Sequence, residues 1–161
     1  MKFLIPLDGS EEALHALRHA LQLGAEGLPL ALVLANVQEP ASLYEMVVAH
    51  DPDVLARVAV QAGAHALDAG EALCRGARVA CQREVAVGEP AQVLVDLAED
   101  HGCDAIVMGA RGVGGLRVAL LGAQLGSVSQ AVLQRAGMPV TVVRPPQSEA
   151  EPDELAANSA D

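Results

Sequence analysis

Ala105-Ile106-Val107-Met108-Gly109-Ala110-Arg111-Gly112-Val113-Gly114-Gly115, followed by Gly122 and then Gly126-Ser127-Val128-Ser129, is the stretch on which the fold turns. Its opening run of apolar residues predicts a short strand covered on both faces. The glycines predict a loop, and Ser127 predicts the start of a helix through Ala136. In an open parallel sheet, ligands sit where such a loop leaves the carboxyl end of a strand. Glycine allows close backbone approach to a phosphate, and a helix start supplies N–H donors and the positive end of a dipole. Ser127 and Ser129 add hydroxyl donors and Arg111 adds a charge. On these residues alone, a ligand-free glycine-rich loop with a serine helix cap explains the pattern equally well.

The same strand–helix alternation extends in both directions. Phe3-Leu4-Ile5-Pro6-Leu7 is a first buried run, Asp8-Gly9 a turn, and Ser10-Glu11-Glu12 a helix start leading to Leu14, Leu17 and Leu21 at helical spacing. Leu30 to Val37 predicts a second strand. A long connection from Gln38 to His50, with room for a short helix, precedes a helix from Asp51 to about Arg75. Leu55, Val58, Ala62, Ala66 and Leu73 are expected on its inner face. Arg78 to Val87 predicts a third strand, Gly88-Glu89-Pro90 a turn into a helix with Val93, Leu94 and Leu97 inward, and Val140-Thr141-Val142-Val143 a fifth strand. The expected architecture is α/β: a single open five-stranded parallel sheet with helices on both faces, in one domain over residues 1–145. Residues 146–161 carry Glu149, Glu151, Asp153, Glu154 and Asp161, and predict an acidic, disordered tail.

Composition limits the partners. A formal charge of -11 over 161 residues repels nucleic acid and anionic lipid, and with Phe3 and Tyr44 as the only aromatics there is no platform for base stacking. No nucleic-acid or membrane partner is expected. The N-terminal apolar run is too short for a signal peptide, and the run from Leu28 to Val37 is too short to span a bilayer. Cys74, Cys81 and Cys103 have no metal-ligand spacing and read as buried apolar residues of a cytoplasmic protein.

Better-known phosphate motifs do not fit. A P-loop needs Gly-Lys before Ser or Thr, and Lys2 is the only lysine; a G-x-G-x-x-G starting at Gly112 ends on Arg117. A receiver-type domain would need an acidic pair, a later acceptor aspartate and a late lysine. His15 and His19 lie four apart without the metalloprotease glutamate, so a surface role is expected and no metal site. Asp96, Glu99 and Asp100 read as a solvated face, and His101 with Cys103 as helix-end and packing residues. No catalytic triad or dyad is identifiable.

The combination of Leu7-Asp8-Gly9-Ser10, Gly88-Glu89-Pro90, Gly109-Ala110-Arg111-Gly112, Gly126-Ser127-Val128-Ser129 and Met138-Pro139-Val140-Thr141-Val142-Val143 resembles the universal stress protein family across residues 1–144. The resemblance implies a Rossmann-like fold of the adenine nucleotide alpha hydrolase-like type and a regulatory stress-response module that binds ATP, or ADP or AMP, with magnesium carried on the phosphates. It places Pro6, Leu7, Asp8 and Val37 beside the adenine and ribose. Met108, Gly109, Arg111 and Gly112 fall at the ribose and phosphates, and Gly126, Ser127, Val128 and Ser129 at the phosphate end. It also implies a homodimer paired through the last strand. The family motif G-x2-G-x9-G-[ST] is interrupted: nine residues separate Gly112 from Gly122, which Ala123 follows, whereas thirteen separate Gly112 from Gly126-Ser127, four more. Two alternatives follow: a nucleotide-incompetent relative acting through its dimer surface, or a slow ATPase with Asp8 as its only candidate base.

Overall fold

The computed structural model describes residues 1–42, 51–112 and 125–145. The connection at 43–50, the loop at 113–124 with the inserted residues, and the tail at 146–161 lie outside them.

Five strands alternate with four helices among the described residues: β1 Lys2–Pro6, α1 Glu11–Ala25, β2 Ala31–Gln38, α2 Pro52–Ala77, β3 Ala80–Val87, α3 Pro90–Asp100, β4 Ala105–Gly109, α4 Ser127–Arg135 and β5 Val140–Val143. The strands form one sheet in the order β3-β2-β1-β4-β5, parallel at every pairing. The chain winds outward from β1 to β3 on one side, then crosses back to β4 on the other. That reversal opens a crevice at the carboxyl ends of β1 and β4, where the connections diverge.

Alternation along the strands divides the core into two layers. Phe3, Ile5, Leu7, Leu32, Leu34 and Val107 face α1 and α2, whereas Leu4, Val33, Ala35, Ile106 and Met108 face α3 and α4. Both faces are covered, which is why the strands read as continuous apolar runs rather than as alternating ones.

The inner face of α2 differs from the expected one. Val58 is exposed, as is Ala62, and the buried stripe is Gly63, Leu67, Gly70 and Cys74. Small residues win because the helix lies close to the sheet: a Cβ on Gly63 would come within 2.6 Å of Val85, and one on Gly70 would strike Leu7. Leu55, Ala66 and Leu73 are half-buried. On α3 the buried residues are Ala91, Leu94, Val95 and Ala98, with Val93 and Leu97 half-buried at the flanks.

Cys74 and Cys103 are buried, while Cys81 is half-buried, and all three are free thiols. Burial pushes the Cys74 thiol up to about 12, with the neighbouring Cys81 adding to the shift. The acidic residues Asp96, Glu99 and Asp100 are exposed, and the His101 imidazole lies 3.1 Å from Glu84. No helix among the described residues is long and apolar enough to cross a membrane.

Candidate functional site

The turn after β1 is built from its own side chains. Asp8 Oδ1 accepts the Ser10 N–H at 2.9 Å, and Ser10 Oγ accepts the Ala13 N–H at 3.2 Å to cap α1. Between them Gly9 has φ +87, a conformation that needs glycine. Asp8 is therefore a turn former and a wall of the crevice at once. Its Oδ2 faces the end of β4 so closely that a Cβ on Gly112 would collide with it.

Opposite Asp8, β4 ends at Gly109 against the first turn of α1. A Cβ on Gly109 would sit 3.0 Å from the backbone C and O of Glu12. The missing side chain thus lets α1 close on the strand end, a packing role for this glycine. The same closeness brings the Glu12 carboxylate to Arg111. Oε2 accepts the Arg111 backbone N–H at 2.9 Å, and Oε1 lies 3.4 Å from Nε. That Nε is buried and has no aligned hydrogen-bond acceptor. The charge expected of Arg111 in the crevice is therefore already held by an acid.

The start of α4 forms the far wall. The Gly126 N–H donates to the Ala110 carbonyl at 2.8 Å and ties the helix to the end of β4. Ser10, Asp51 and Glu89 cap the starts of α1, α2 and α3 with their side chains, but Gly126 offers none to α4. The N–H groups of Ser127, Val128 and Ser129, which like those of any first turn lack intrahelical acceptors, therefore receive no cap side chain from Gly126. Ser129 Oγ, expected as a donor to ligand, instead donates to the Ala110 carbonyl at 2.6 Å from a buried position. Its hydroxyl holds the loop to the helix, and Ser127 keeps the exposed hydroxyl at the rim.

Across the crevice, Glu89 caps α3 and pairs with Arg135 near the end of α4. The Gln92 N–H chiefly, and then Arg135, hold the Glu89 carboxyl below its ordinary value.

These walls enclose a cavity of about 260 Å³, close to the lower end of the roughly 300–1,000 Å³ usual for ligand pockets. Pro6, Leu7, Asp8, Val37, Met108, Gly109, Arg111, Gly112, Gly126, Ser127, Val128 and Ser129 all line it. The twelve residues expected around a nucleotide are all brought to this one place. Ala13, Ala35, Asn36, Pro90 and Leu94 line it as well and went unrecognised. Asn36 alone carried a signal, as a polar residue inside an apolar strand run. It is buried, donates through Nδ2 to the Leu7 carbonyl at 2.7 Å and accepts from Gln38 Nε2 at 2.6 Å, which fixes the backbone next to Asp8. Pro90 stood out only as part of the turn into α3, and Ala13, Ala35 and Leu94 are apolar residues indistinguishable from core in the sequence. No cluster of metal-ligating side chains occurs among the described residues.

A doubly wound parallel sheet with a glycine-lined cavity and an uncapped helix start at its switch point defines the class: an open α/β protein of the Rossmann-like kind. The model of the universal stress protein family matches residues 1–144, and the chain belongs to that family. Comparison with curated proteins returns no match. Among solved structures, the hypothetical protein MJ0577 is 26% identical with a TM-score of 0.76, over 91% of this chain and 97% of that one. The universal stress protein UspA of Lactobacillus plantarum is 23% identical with a TM-score of 0.73, over 89% and 97%. A family protein of Arabidopsis thaliana, solved with AMP bound, is 19% identical with a TM-score of 0.64, over 95% and 97%.

Proposed function

We propose that this chain is a regulatory stress-response module that binds an adenine nucleotide in the crevice between the ends of β1 and β4, with little or no turnover. The observation that carries the reading is the pairing, in one cavity, of an apolar slot with an uncapped helix start. Pro6, Val37, Leu94 and Met108 suit the faces of a planar base. Asp8 is placed to accept from ribose hydroxyls, and the N–H groups of Ser127, Val128 and Ser129 suit the phosphates. Relatives support the ligand class: besides the AMP-bound plant protein, one universal stress protein was solved with cAMP and the Archaeoglobus fulgidus protein with dAMP.

ATP is the proposed physiological form, with ADP and AMP as shorter ligands of the same site. Magnesium would ride on the ATP phosphates, since carboxylates are scarce in the cavity. Asp8 is the only acid among the described residues that line it, and its Oδ1 is engaged by the Ser10 N–H, which supports binding over hydrolysis. A homodimer through β5 is supported by the position of that strand at the sheet edge, with Thr141 exposed and Val140, Val142 and Val143 half-buried. Free thiols at all three cysteines suit a reducing, cytoplasmic location.

The test is to purify the protein without added ligand, denature it and separate what is released on a nucleotide-resolving column. A near-stoichiometric adenine nucleotide is the expected result. A guanine nucleotide in its place would refute the reading, as would an empty eluate from protein whose melting is unmoved by millimolar ATP or AMP.

A further inference from the structure

We propose that Glu12 sets how strongly this pocket rewards phosphate charge, by holding the guanidinium of Arg111. The inference rests on the adenine-nucleotide reading above and concerns which member of that ligand class the site prefers.

Arg111 is the only cationic side chain among the described residues lining the cavity. Its main chain and its side chain both engage one carboxylate, with the Arg111 N–H on Glu12 Oε2 at 2.9 Å and Nε 3.4 Å from Oε1. The two side chains are only 25% and 22% exposed, so solvent and salt screen the pair less than a surface ion pair. Nε is nonetheless buried without an aligned acceptor, so the carboxylate leaves one donor of the guanidinium unsatisfied.

An entering phosphate therefore meets a cation that is already neutralised. To recruit Arg111 it must draw the guanidinium from Glu12, and the freed carboxylate then repels it at close range. Both effects grow with each phosphate, so the triphosphate gains little over the monophosphate unless a divalent cation offsets its charge. Glu12 is thus a specificity-determining residue acting through Arg111. Gly109 makes this arrangement possible, because a side chain there would push the first turn of α1 away.

The test uses the full chain stripped of ligand and titrated calorimetrically with adenosine, AMP and ATP in EDTA, as wild type, Glu12→Gln, Arg111→Gln and the double variant. Glutamine keeps an acceptor for the Arg111 N–H, and a cooperative melt confirms each fold. In Glu12→Gln, ATP is expected to bind about tenfold tighter, AMP about threefold tighter and adenosine unchanged, because only the ligand's charge meets the carboxylate. Arg111→Gln should cost ATP less than about threefold in wild type but about tenfold beside Glu12→Gln, a coupling that independent sites would not show. Equal effects on adenosine and ATP, an unchanged ATP affinity, or additive Arg111→Gln effects would overturn the role of Glu12 while adenosine binding upholds the pocket. If none of the three ligands binds wild type or Glu12→Gln, the pocket reading falls and this inference with it.

Discussion

Replacing Gly112 by valine is expected to remove nucleotide affinity while the protein stays folded. Gly112 lies directly beside the Asp8 carboxylate; a Cβ there already collides with Asp8 Oδ2, and valine adds two methyl groups. Those atoms would fill the volume expected to hold ribose and phosphate. The cost is expected to reach at least about 100-fold in Kd, some 2.7 kcal/mol. Gly112 itself is exposed, and its neighbour is a movable side chain on the surface, so the melting temperature should change by only a few degrees. Calorimetric titration with AMP beside a thermal melt checks both halves. A folded variant with wild-type affinity would place the ligand elsewhere.

The second large effect is on stability. Leu17 is fully buried in the layer formed by α1, α2 and the sheet, where it also lies within contact of Gly70. Alanine there leaves a cavity that α2 cannot easily fill, since the facing residue is a glycine. The expected loss is about 2–5 kcal/mol, which for a chain of this size lowers Tm by roughly 2–4 °C per kcal/mol. Leu133→Ala, at a side chain 42% exposed on α4, serves as the comparison and should stay within about 0.5 kcal/mol of wild type. Denaturant unfolding of both variants measures the difference; equal losses would contradict the layer assignment.

Much of this architecture could be read from the chain because its strands are buried on both faces. Runs such as Phe3 to Leu7 and Ala105 to Met108 have no polar face to confuse with a helix, and Ser10, Asp51 and Glu89 announce the helix starts they cap. The inner face of α2 was not legible. Its valines are more apolar than its glycines, yet the glycines face the sheet, because closeness of approach rather than hydrophobicity decided the orientation.

The site divides in the same way. Residues in turns and glycine loops stood out by type, so the twelve expected positions do meet at one cavity. Glu12 did not stand out, since it reads as an ordinary acid in the first turn of a helix. Its contact with Arg111 spans 99 positions and depends on α1 crossing the end of β4 at Gly109. Asn36 was lost for a related reason: its Leu7 carbonyl partner, 29 positions away, is set by the pairing of β1 with β2. The loop between Gly112 and Gly126 is longer than the family motif, yet the start of α4 still hydrogen-bonds to the end of β4 through Gly126 and Ala110.

The most direct measurement is a set of amide chemical-shift changes on titrating the isotope-labelled, ligand-free protein with AMP. Saturable shifts are expected to concentrate at Asp8, Val37, Gly109 to Gly112 and Ser127 to Ser129, with the groove bordered by Gly24, Leu28 and Val79 at the opposite end of the sheet unmoved. Shifts centred on that groove, or none at millimolar AMP, would contradict this placement of the ligand.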